Sequence, residues 1–561
     1  MAVPMDSILL AAVDNWLLAN PQGINPNREK IKEEIVNQTR IIIDMQNALL
    51  SKTTKMKVPD RLTNVQIARI IELVEPVVCI SAGKDDDEET EFDLLGVYEY
   101  DGPNKGIYNT SEKALKQIIR YYNFAAVERD MEEVKQMLRL LLPRKRRCMD
   151  RDLIAVNNGI FDYKRKVLMP FTPDKIFLSK SRVNYNPNAT NVTIHNPEDN
   201  TDWDVESWML GLSDDPGIVN LLWQVLGAII RPFVRWNKSA WLYSETGNSG
   251  KGTLCELMRN LCGRGSYASI ALSDFSKDFM LEPLIHSNAI IVDENDVGIF
   301  LDKVANLKAV ITNDVLLINR KFKKPVSYQF FGFMVQCLNE FPRIRDRSES
   351  LYRRQLFIPF DKCYTGIERP YIKGDYLSRP EVLEYVLFKV LNMNYYKLSE
   401  PAACKAMLDE LKEANSPVRE FVEDMLPQCQ WDLLPFTFLY DLYKAWLAKV
   451  NPVGSALSRN CFKRELIAAV SGNPGWVYEN KQVASKNRMD RPEPLILRYD
   501  LKDWKNPMYM GTDVSQICRP QLCTSYRGLQ RKAPTTTVTG VLPSVICNGT
   551  MYSPMENTGN R

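Results

Sequence analysis

A short apolar strand that leads into a glycine-rich loop and then into a helix constrains this chain more than any other feature. The strand-like run Ala-Trp-Leu-Tyr ends at Tyr243, and the loop continues as Ser-Glu-Thr-Gly-Asn-Ser-Gly-Lys-Gly-Thr to Thr253. Apolar residues then recur at helical spacing from Leu254 to Leu261. Glycines let backbone amides approach phosphate oxygens, and the N-terminus of a helix attracts anions. This order predicts a P-loop that binds ATP, in which Lys251 neutralises the β and γ phosphates.

The residues predicted to contact the nucleotide are contiguous. They are Gly247, Asn248, Ser249, Gly250, Lys251, Gly252 and Thr253. Two positions depart from the usual pattern, because Glu245 stands where the first glycine is expected and Gly252 stands where a hydroxyl residue follows the lysine. Thr253 is therefore the predicted hydroxyl ligand of Mg²⁺. A Gly-Lys-Gly-Thr string also occurs in ordinary loops and helix caps, so the interpretation needs a second motif.

That second motif is an apolar strand that ends in two acids, Asn-Ala-Ile-Ile-Val-Asp-Glu from Asn288 to Glu294. It has the form of a Walker B strand. We expect Asp293 to hold Mg²⁺ and Glu294 to polarise the attacking water, because γ-phosphoryl transfer needs charge neutralisation and a positioned nucleophile. The alternative is a core strand whose last two acids are only solvated, and its position after a P-loop favours the functional interpretation.

Further polar residues follow at suitable positions along the chain. A third apolar strand ends at Cys337, and Asn339 follows it as a predicted polar sensor of the nucleotide. Arg353 and Arg354 precede a fourth strand, and either is a candidate arginine finger that reaches the γ-phosphate of a neighbouring subunit. Surface salt bridges are the alternative role for this arginine pair.

Between the Walker B strand and Asn339, two β-rich flanks from Leu316 to Phe330 enclose a basic centre, which predicts a hairpin. Its predicted DNA contacts are Arg320, Lys321, Phe322, Lys323 and Lys324. The cations would meet phosphates while the aromatic ring stacks on bases, a combination suited to sequence-independent binding of single strands. The alternative is a solvated hairpin tip.

The whole chain of 561 residues is long enough for several domains, and its net charge of only +3 means that any grip on nucleic acid must come from local basic patches. We predict a helical accessory region over 1–95, a small α+β domain and linker over 96–200, a nucleotide-binding α/β domain over 201–400, a winged-helix-like domain over 410–505 and a flexible tail over 506–561.

The cysteines show no CxxC pair, so no zinc ribbon is expected. No segment has the features of a membrane span, which predicts a cytoplasmic protein.

The winged-helix prediction depends on two helical patterns, 437–448 and 458–469, followed by two predicted strands at 475–480 and 495–499 around a basic loop. Arg459, Lys463 and Arg464 would lie on the second helix and contact duplex DNA. Winged helices also dock proteins, and the sequence leaves both roles open.

The order of these motifs resembles the superfamily 3 helicases, specifically the AAA+ part of phage and plasmid primase-helicases related to the poxvirus type. The resembling segments are Asn-Gly-Ile-Phe-Asp162, Gly-Asn-Ser-Gly-Lys-Gly-Thr253, Val-Asp-Glu-Asn295, Leu-Lys308 with Thr-Asn-Asp314, Leu-Asn-Glu-Phe-Pro342 and Leu-Tyr-Arg-Arg354. In the family, a glycine usually stands where this chain has Asn313. The resemblance implies that 201–400 is an AAA+ domain with Mg²⁺ and ATP as ligands, in a homo-hexameric ring that moves along single-stranded DNA, typically 3′ to 5′, in a bacterial host.

The same resemblance implies forked DNA as substrate and a separate primase or polymerase as partner, because neither His195 nor His286 lies near the paired acids that a primase site needs. Two other functions share the nucleotide site. One is an origin-binding initiator with weak motor activity, which Glu245 and Gly252 favour. The other is an AAA+ ATPase that remodels proteins, which has no need of the basic hairpin.

Overall fold

We describe the chain from a computed structural model, which covers residues 4–23, 26–81, 93–321, 323–346, 348–450, 456–471 and 473–532. The chain divides into two compact units, Met1–Asn415 and Ser416–Arg561. Each unit contains helices and sheets, so the predicted multidomain α/β class is confirmed. Within the ranges just given, no helix is both long and apolar enough to cross a bilayer.

The first unit begins with helices that pack on a small sheet. Its elements are α1 (Met5–Ala19), α2 (Arg28–Ala48), α3 (Asn64–Val74), β1 (Val77–Ile80), β2 (Leu94–Tyr98), β3 (Tyr108–Asn109), α4 (Glu112–Tyr122), α5 (Glu128–Leu141) and β4 (Arg144–Lys145). The strands are ordered β3-β2-β1-β4. Helices and sheet share one apolar core, which includes Ile35, Ile67 and Val97. The predicted boundary between residues 95 and 96 is therefore wrong, because it cuts β2 and separates the helices from the sheet they cover.

Local side chains explain where these helices begin. Asn27 caps α2 by accepting from the Lys30 amide, and Thr63 forms a capping box with Gln66 at the start of α3. After α3, the buried Glu75 accepts from both Arg28 Nε and Nη2 at 2.7 Å and from the Tyr122 hydroxyl at 2.8 Å. This bonded carboxylate joins α2, α3 and α4.

Short strands connect this region to the central sheet. They are β5 (Leu153–Val156), β6 (Gly159–Asp162), β7 (Val167–Met169), β8 (Ile194–Asn196) and β9 (Thr201–Trp203). The first three form an antiparallel sheet. β8 and β9 pair as a hairpin, so the end of the region 96–200, where we predicted a linker, contains regular structure.

The central α/β block follows. Its elements are α6 (Val205–Gly211), α7 (Pro216–Ile229), β10 (Ser239–Tyr243), α8 (Lys251–Cys262), β11 (Tyr267–Ala268), β12 (Ala289–Val292), β13 (Phe300–Leu301), α9 (Ala305–Thr312), β14 (Val315–Arg320), β15 (Lys323–Gln329), β16 (Phe333–Leu338), β17 (Arg343–Ile344), α10 (Glu349–Tyr352), β18 (Gln355–Pro359), α11 (Pro370–Gly374), α12 (Pro380–Asn392) and α13 (Ala402–Ala414). Five strands form one parallel sheet in the order β11-β12-β16-β10-β18.

The strands β10, β12, β16 and β18 are buried along their whole length, because helices or loops cover both faces of the sheet. One face packs on α7, α8 and α12 through residues such as Leu226 and Leu254. The other face packs on a second cluster that includes Trp241, Ile290 and Leu411. Because Leu411 lies on α13, that helix belongs with the sheet, and the predicted end of this domain at residue 400 is wrong.

The predicted basic hairpin is confirmed as a pair of antiparallel strands. β14 and β15 pair from Val315 opposite Gln329 to Arg320 opposite Lys323, with an irregularity between Ile318 and Arg320. It lies between β12 and β16 in the sequence, and it stands outside the parallel sheet.

The second unit has a separate core around Trp431, Phe438 and Phe462. Its elements are α14 (Pro417–Met425), β19 (Leu433–Pro435), α15 (Phe436–Val450), α16 (Arg459–Val470), β20 (Trp476–Tyr478), β21 (Val483–Ala484), α17 (Leu495–Arg498), α18 (Val514–Ile517), β22 (Ser525–Tyr526) and β23 (Gly528–Arg531). Three strands form a sheet in the order β19-β23-β20. The two predicted helices and the first predicted strand are confirmed.

Two predictions for this unit are wrong. Residues 495–499 form the helix α17 and not a strand. The chain after residue 506 is not a free tail as far as the structure describes it, because β23 pairs with both β19 and β20 and buries Leu529 completely. The remainder of the predicted tail, 533–561, lies outside the described residues.

Candidate functional site

The predicted P-loop connects β10 to α8 with the expected order of strand, loop and helix. Two of its residues, Asn248 (φ 54°) and Gly250 (φ 90°), adopt the left-handed conformation. A Cβ atom on Gly250 would lie 2.9 Å from Leu212 Cδ2, so glycine is required there for both conformation and space. The turn therefore aims the first amides of α8 back towards the end of the sheet.

Lys251 opens α8 and is only 7% exposed. Its ammonium donates to Ser249 Oγ at 3.1 Å and to Asn339 Oδ1 at 3.0 Å. Burial lowers the pKa of this ammonium. The structure thus brings together the predicted phosphate-binding lysine and the predicted sensor, which are far apart in sequence.

The predicted Walker B acids follow β12, next to β16 in the sheet. Asp293 accepts from Arg259, with Nη2 to Oδ1 at 2.7 Å and Nη1 to Oδ2 at 3.1 Å. These bonds from Arg259 lower the pKa of the Asp293 carboxyl. Glu294 is exposed. Arg259 lies on the last turns of α8 and was not predicted, since nothing in its local sequence distinguishes it from a surface arginine.

Asn295, the residue after the two acids, is buried and ties the end of β12 to its neighbours. Its amide nitrogen donates to Gln336 Oε1 at 2.9 Å and to the Cys337 carbonyl at 3.0 Å, and its oxygen accepts from the Leu272 amide. Gln336 in turn donates to the Ile270 carbonyl. This network fixes the loop that carries Asp293 and Glu294 against the sensor strand β16.

Asn313 ends α9 in the left-handed conformation, with φ 55°. Glycine adopts the left-handed conformation without strain, which explains why the family pattern has glycine at this position. Asparagine tolerates this conformation better than most other residues do. The Asn313 side chain is buried and donates to the Phe330 carbonyl at 3.0 Å. The substitution therefore preserves the backbone turn and anchors the base of the hairpin.

Arg353 and Arg354 lie at the opposite edge of the sheet from the P-loop. The Arg354 carbonyl accepts from the amide of Ser239, the first residue of β10, whereas the P-loop follows its last residue. The Arg354 guanidinium bonds to the carbonyl and hydroxyl of Ser350 in its own chain, but Arg353 is exposed. Neither arginine is therefore placed to serve the P-loop of its own chain.

A cleft of about 820 Å³ opens beside the P-loop and was not predicted. Its walls include Asn248, Gly250 and Thr253 on one side and Trp203 and Trp208 on another. Thr253 is half-buried and lines this cleft, which is large enough for a small ligand. A nucleoside attached to phosphates at the P-loop would fit this cleft in size and in aromatic lining.

The loop 361–369 after β18 forms a third wall and is bonded to the P-loop. Asn248 donates through its side chain to Glu368 Oε1 at 3.0 Å, and its carbonyl accepts from the Tyr364 amide at 2.9 Å. The Tyr364 hydroxyl donates to the Gly211 carbonyl at 2.7 Å. These bonds hold Asn248 in its left-handed conformation.

The predicted DNA contacts fall in two places. Arg320 and Lys321 lie at the turn of the hairpin, and Lys321 is exposed. Lys323 and Lys324 begin β15, and Phe322 lies outside the described residues.

On α16, the predicted contacts differ in their surroundings. Arg459 and Arg464 are exposed, whereas Lys463 is half-buried, with its ammonium 4.9 Å from the ring centre of Phe436. Lys463 therefore packs on the core of the second unit through a cation–π contact.

These observations define a multidomain α/β protein whose central parallel sheet carries a phosphate-loop geometry at its carboxyl edge. Three family models match the chain in separate segments. The model described as D5 N terminal like matches residues 85–208, a family of unknown function matches residues 242–354, and the model described as Poxvirus D5 protein-like matches residues 413–506. The P-loop, the two acids and Asn339 all lie in the segment matched by the family of unknown function.

The chain is related to the poxvirus D5-type superfamily 3 helicases, so the predicted family resemblance is confirmed. The D5-like domains indicate a replication protein of the primase-helicase family, and this family indicates an enzyme.

Two solved structures match the chain at low sequence identity. The apo structure of the NrS-1 C terminal region (305-718) is 15% identical, with a TM-score of 0.36 over 67% of this chain and 81% of that one. The A form apo structure of the NrS-1 C terminal region is also 15% identical, with a TM-score of 0.36 over 79% of this chain and 90% of that one. No curated protein matches the chain.

Proposed function

We propose that the chain is an ATP-dependent DNA helicase of the AAA+ type that serves the replication of a phage, plasmid or other mobile element. The observation that carries this proposal is the hydrogen bond of 3.0 Å between Lys251 and Asn339 across the neighbouring strands β10 and β16. Asp293 and Glu294 follow β12, which neighbours β16, so Lys251, Asn339 and the two acids lie at one edge of one sheet, and this arrangement supports the proposal. In the sheet order β11-β12-β16-β10-β18, the P-loop strand lies beside the sensor strand, as the AAA+ assignment requires.

The residues at this edge suit the hydrolysis of a nucleoside triphosphate. Lys251 would neutralise the terminal phosphates, and Glu294 would orient a water molecule towards the γ-phosphorus. Asp293 and the Thr253 hydroxyl would hold Mg²⁺, which supplies further charge neutralisation when bound. Asp293 fits this role because its side chain stays 38% exposed beside Arg259. Asn339 would orient Lys251 and sense the γ-phosphate.

The position of the arginines supports a ring of identical subunits. Because Arg353 lies at the sheet edge opposite the P-loop of its own chain, it would complete the site of a neighbour. A head-to-tail interface repeated by rotation closes into a ring, and we propose a homo-hexamer. The hairpins of β14 and β15 would then line the channel and grip single-stranded DNA.

Unwinding of forked DNA with ATP is the experiment that tests the helicase proposal. We expect unwinding and an ATPase rate that single-stranded DNA stimulates. ATP turnover that DNA leaves unchanged would favour the protein-remodelling alternative. Binding of duplex DNA without ATP turnover would favour the origin-binding initiator, to which Glu245 and Gly252 point.

The hairpin provides a more specific prediction. Replacing Lys321, Lys323 and Lys324 with Ala should weaken single-strand binding, and each lost phosphate contact should remove about 0.7 from the slope of log affinity against log salt. Basal ATPase activity should persist, because the nucleotide residues lie on other elements. The measurement is fluorescence anisotropy of labelled oligonucleotide at several salt concentrations, together with unwinding.

The matched control for the hairpin is the triple replacement of Lys52, Lys55 and Lys57, three exposed lysines in the first unit. This control removes the same charge. It should change neither the salt dependence of single-strand binding nor the unwinding of forked DNA. If the hairpin variant unwinds forked DNA like its parent, the solvated-tip alternative is correct.

The second unit has the order of a winged helix, α14-β19-α15-α16-β20-β23, and we propose that α16 contacts duplex DNA. Replacing both Arg459 and Arg464 with Ala should weaken duplex binding, each lost phosphate contact lowering the salt slope by about 1. The control replaces Lys502 and Arg519, which are exposed on other elements of this unit. Unchanged duplex binding in the α16 variant would favour the protein-docking role.

A further inference from the structure

The position after the P-loop lysine is occupied by Gly252, where phosphate loops usually carry a hydroxyl. A Cβ atom built on Gly252 would lie 3.7 Å from Lys373 Nζ. Apart from the adjacent residues Lys251 and Thr253 and the backbone of the helix itself, no other described heavy atom lies within 4 Å of that point. The space that a side chain would take at position 252 is thus faced by an ammonium group.

The backbone that carries Lys373 is firmly placed. Lys373 lies on α11, whose Ile372 is buried in the same core as Leu254 of the P-loop helix. The preceding Tyr371 donates through its hydroxyl to Asp199 Oδ2 at 2.6 Å. Lys373 itself is exposed, lines the cleft beside Thr253, and has no carboxylate partner within ion-pair distance among the residues that the structure describes.

The position of Lys373 allows contact with a ligand in the cleft. Lys373 lines this cleft together with Asn248, Gly250 and Thr253 of the phosphate loop. Its flexible four-carbon stem allows the ammonium to follow a phosphate oxygen over several ångströms.

We propose that Lys373 is a second phosphate-binding cation of the nucleotide site, and that glycine at position 252 leaves room for its ammonium. This inference rests on the proposed ATPase function. Lys251 approaches the triphosphate from the P-loop, and Lys373 approaches it from α11. The ammonium of Lys373 would add positive charge next to the phosphates on the side of the loop where Gly252 carries no side chain.

The test compares nucleotides with different numbers of phosphates on the full-length chain. Replacing Lys373 with Ala should weaken binding of a fluorescent ATP analogue by roughly tenfold, as expected for the loss of a charge-assisted hydrogen bond. Binding of the corresponding AMP analogue should stay within about twofold, because the AMP analogue lacks the distal phosphates. Replacing Lys373 with Arg, which keeps the charge, should restore most of the affinity for ATP. Lys397→Ala is the control, since Lys397 is exposed and does not line the cleft.

A double-mutant cycle tests the link to position 252. Gly252→Ser should weaken ATP binding in the parent, because its Cβ would lie 3.7 Å from Lys373 Nζ and its hydroxyl would compete with the phosphates for that ammonium. In the Lys373→Ala background it should instead strengthen binding in the presence of Mg²⁺, because the new hydroxyl has room and a metal to hold. Effects of equal sign and size in both backgrounds would overturn the pairing of Gly252 with Lys373.

Other results would overturn the role of Lys373 itself. Equal losses of ATP and AMP binding in Lys373→Ala would mean that the residue only supports the cleft wall. Parent-like ATP binding in Lys373→Ala, alongside loss of binding in Lys251→Ala, would refute the Lys373 inference and leave the ATPase proposal in place. Failure of the parent chain to bind ATP at all would refute both.

Discussion

Replacing Glu294 with Gln should leave ATP binding intact and lower ATP turnover by on the order of 10²–10³-fold. The carboxylate is exposed at the end of β12, whereas the partners of Lys251 are Ser249 and Asn339, so its loss should not disturb the phosphate site. It is the proposed group that orients the attacking water, and Gln keeps its shape without its charge. Binding of a fluorescent ATP analogue and steady-state phosphate release measure the two properties separately.

Lys251→Ala should behave differently and lose both binding and turnover, because its buried ammonium is the proposed partner of the terminal phosphates. Two controls match these variants. Asp296→Asn changes an exposed acid two residues after Glu294, and Lys238→Ala removes an ion pair with Glu400 just before β10. Both should retain activity close to that of the parent. Parent-like hydrolysis by Glu294→Gln would show that another residue positions the water.

Local pattern was sufficient to predict the central elements of this site. The strands β10, β12 and β16 are each a short apolar run that is followed by polar residues. Because these strands are parallel, their carboxyl ends lie at the same edge of the sheet. The hairpin was predictable for the same reason, since two β-rich flanks enclose a basic turn. Asn339 beside Lys251 follows from this topology once the strands are assigned.

Other parts of the site depend on contacts between distant segments and have no local signal. The bond from Asn248 to Glu368 spans 120 residues, and the cleft joins Trp203 to the P-loop and to the loop after β18. The strand β23 lies in a polar, proline-containing stretch, and its pairing with β19 and β20 could not be inferred from composition. Helix α17 is a single turn of three apolar residues and Arg498, which periodicity cannot distinguish from a strand.

Replacing Arg353 with Ala should lower ATP turnover in the assembled ring by roughly 10³–10⁵-fold, the range for an arginine finger. Arg354→Ala should mainly lower stability, by about 1 kcal/mol, because its guanidinium bonds to Ser350 within the same chain. The two adjacent variants thus control for each other. The comparison requires ATPase rates together with thermal unfolding of each variant.

The decisive measurement mixes inactive chains. The P-loop of one subunit and the arginine of its neighbour form one site under this proposal, because Arg353 lies at the sheet edge opposite its own P-loop. Rings that contain both Lys251→Ala and Arg353→Ala chains will include some interfaces in which an intact P-loop meets an intact arginine. We expect those interfaces to hydrolyse ATP, so that the mixture regains activity that neither variant has alone. Rings shown to contain both chains, for example by affinity tags on each, and yet fully inactive would contradict a trans-acting Arg353.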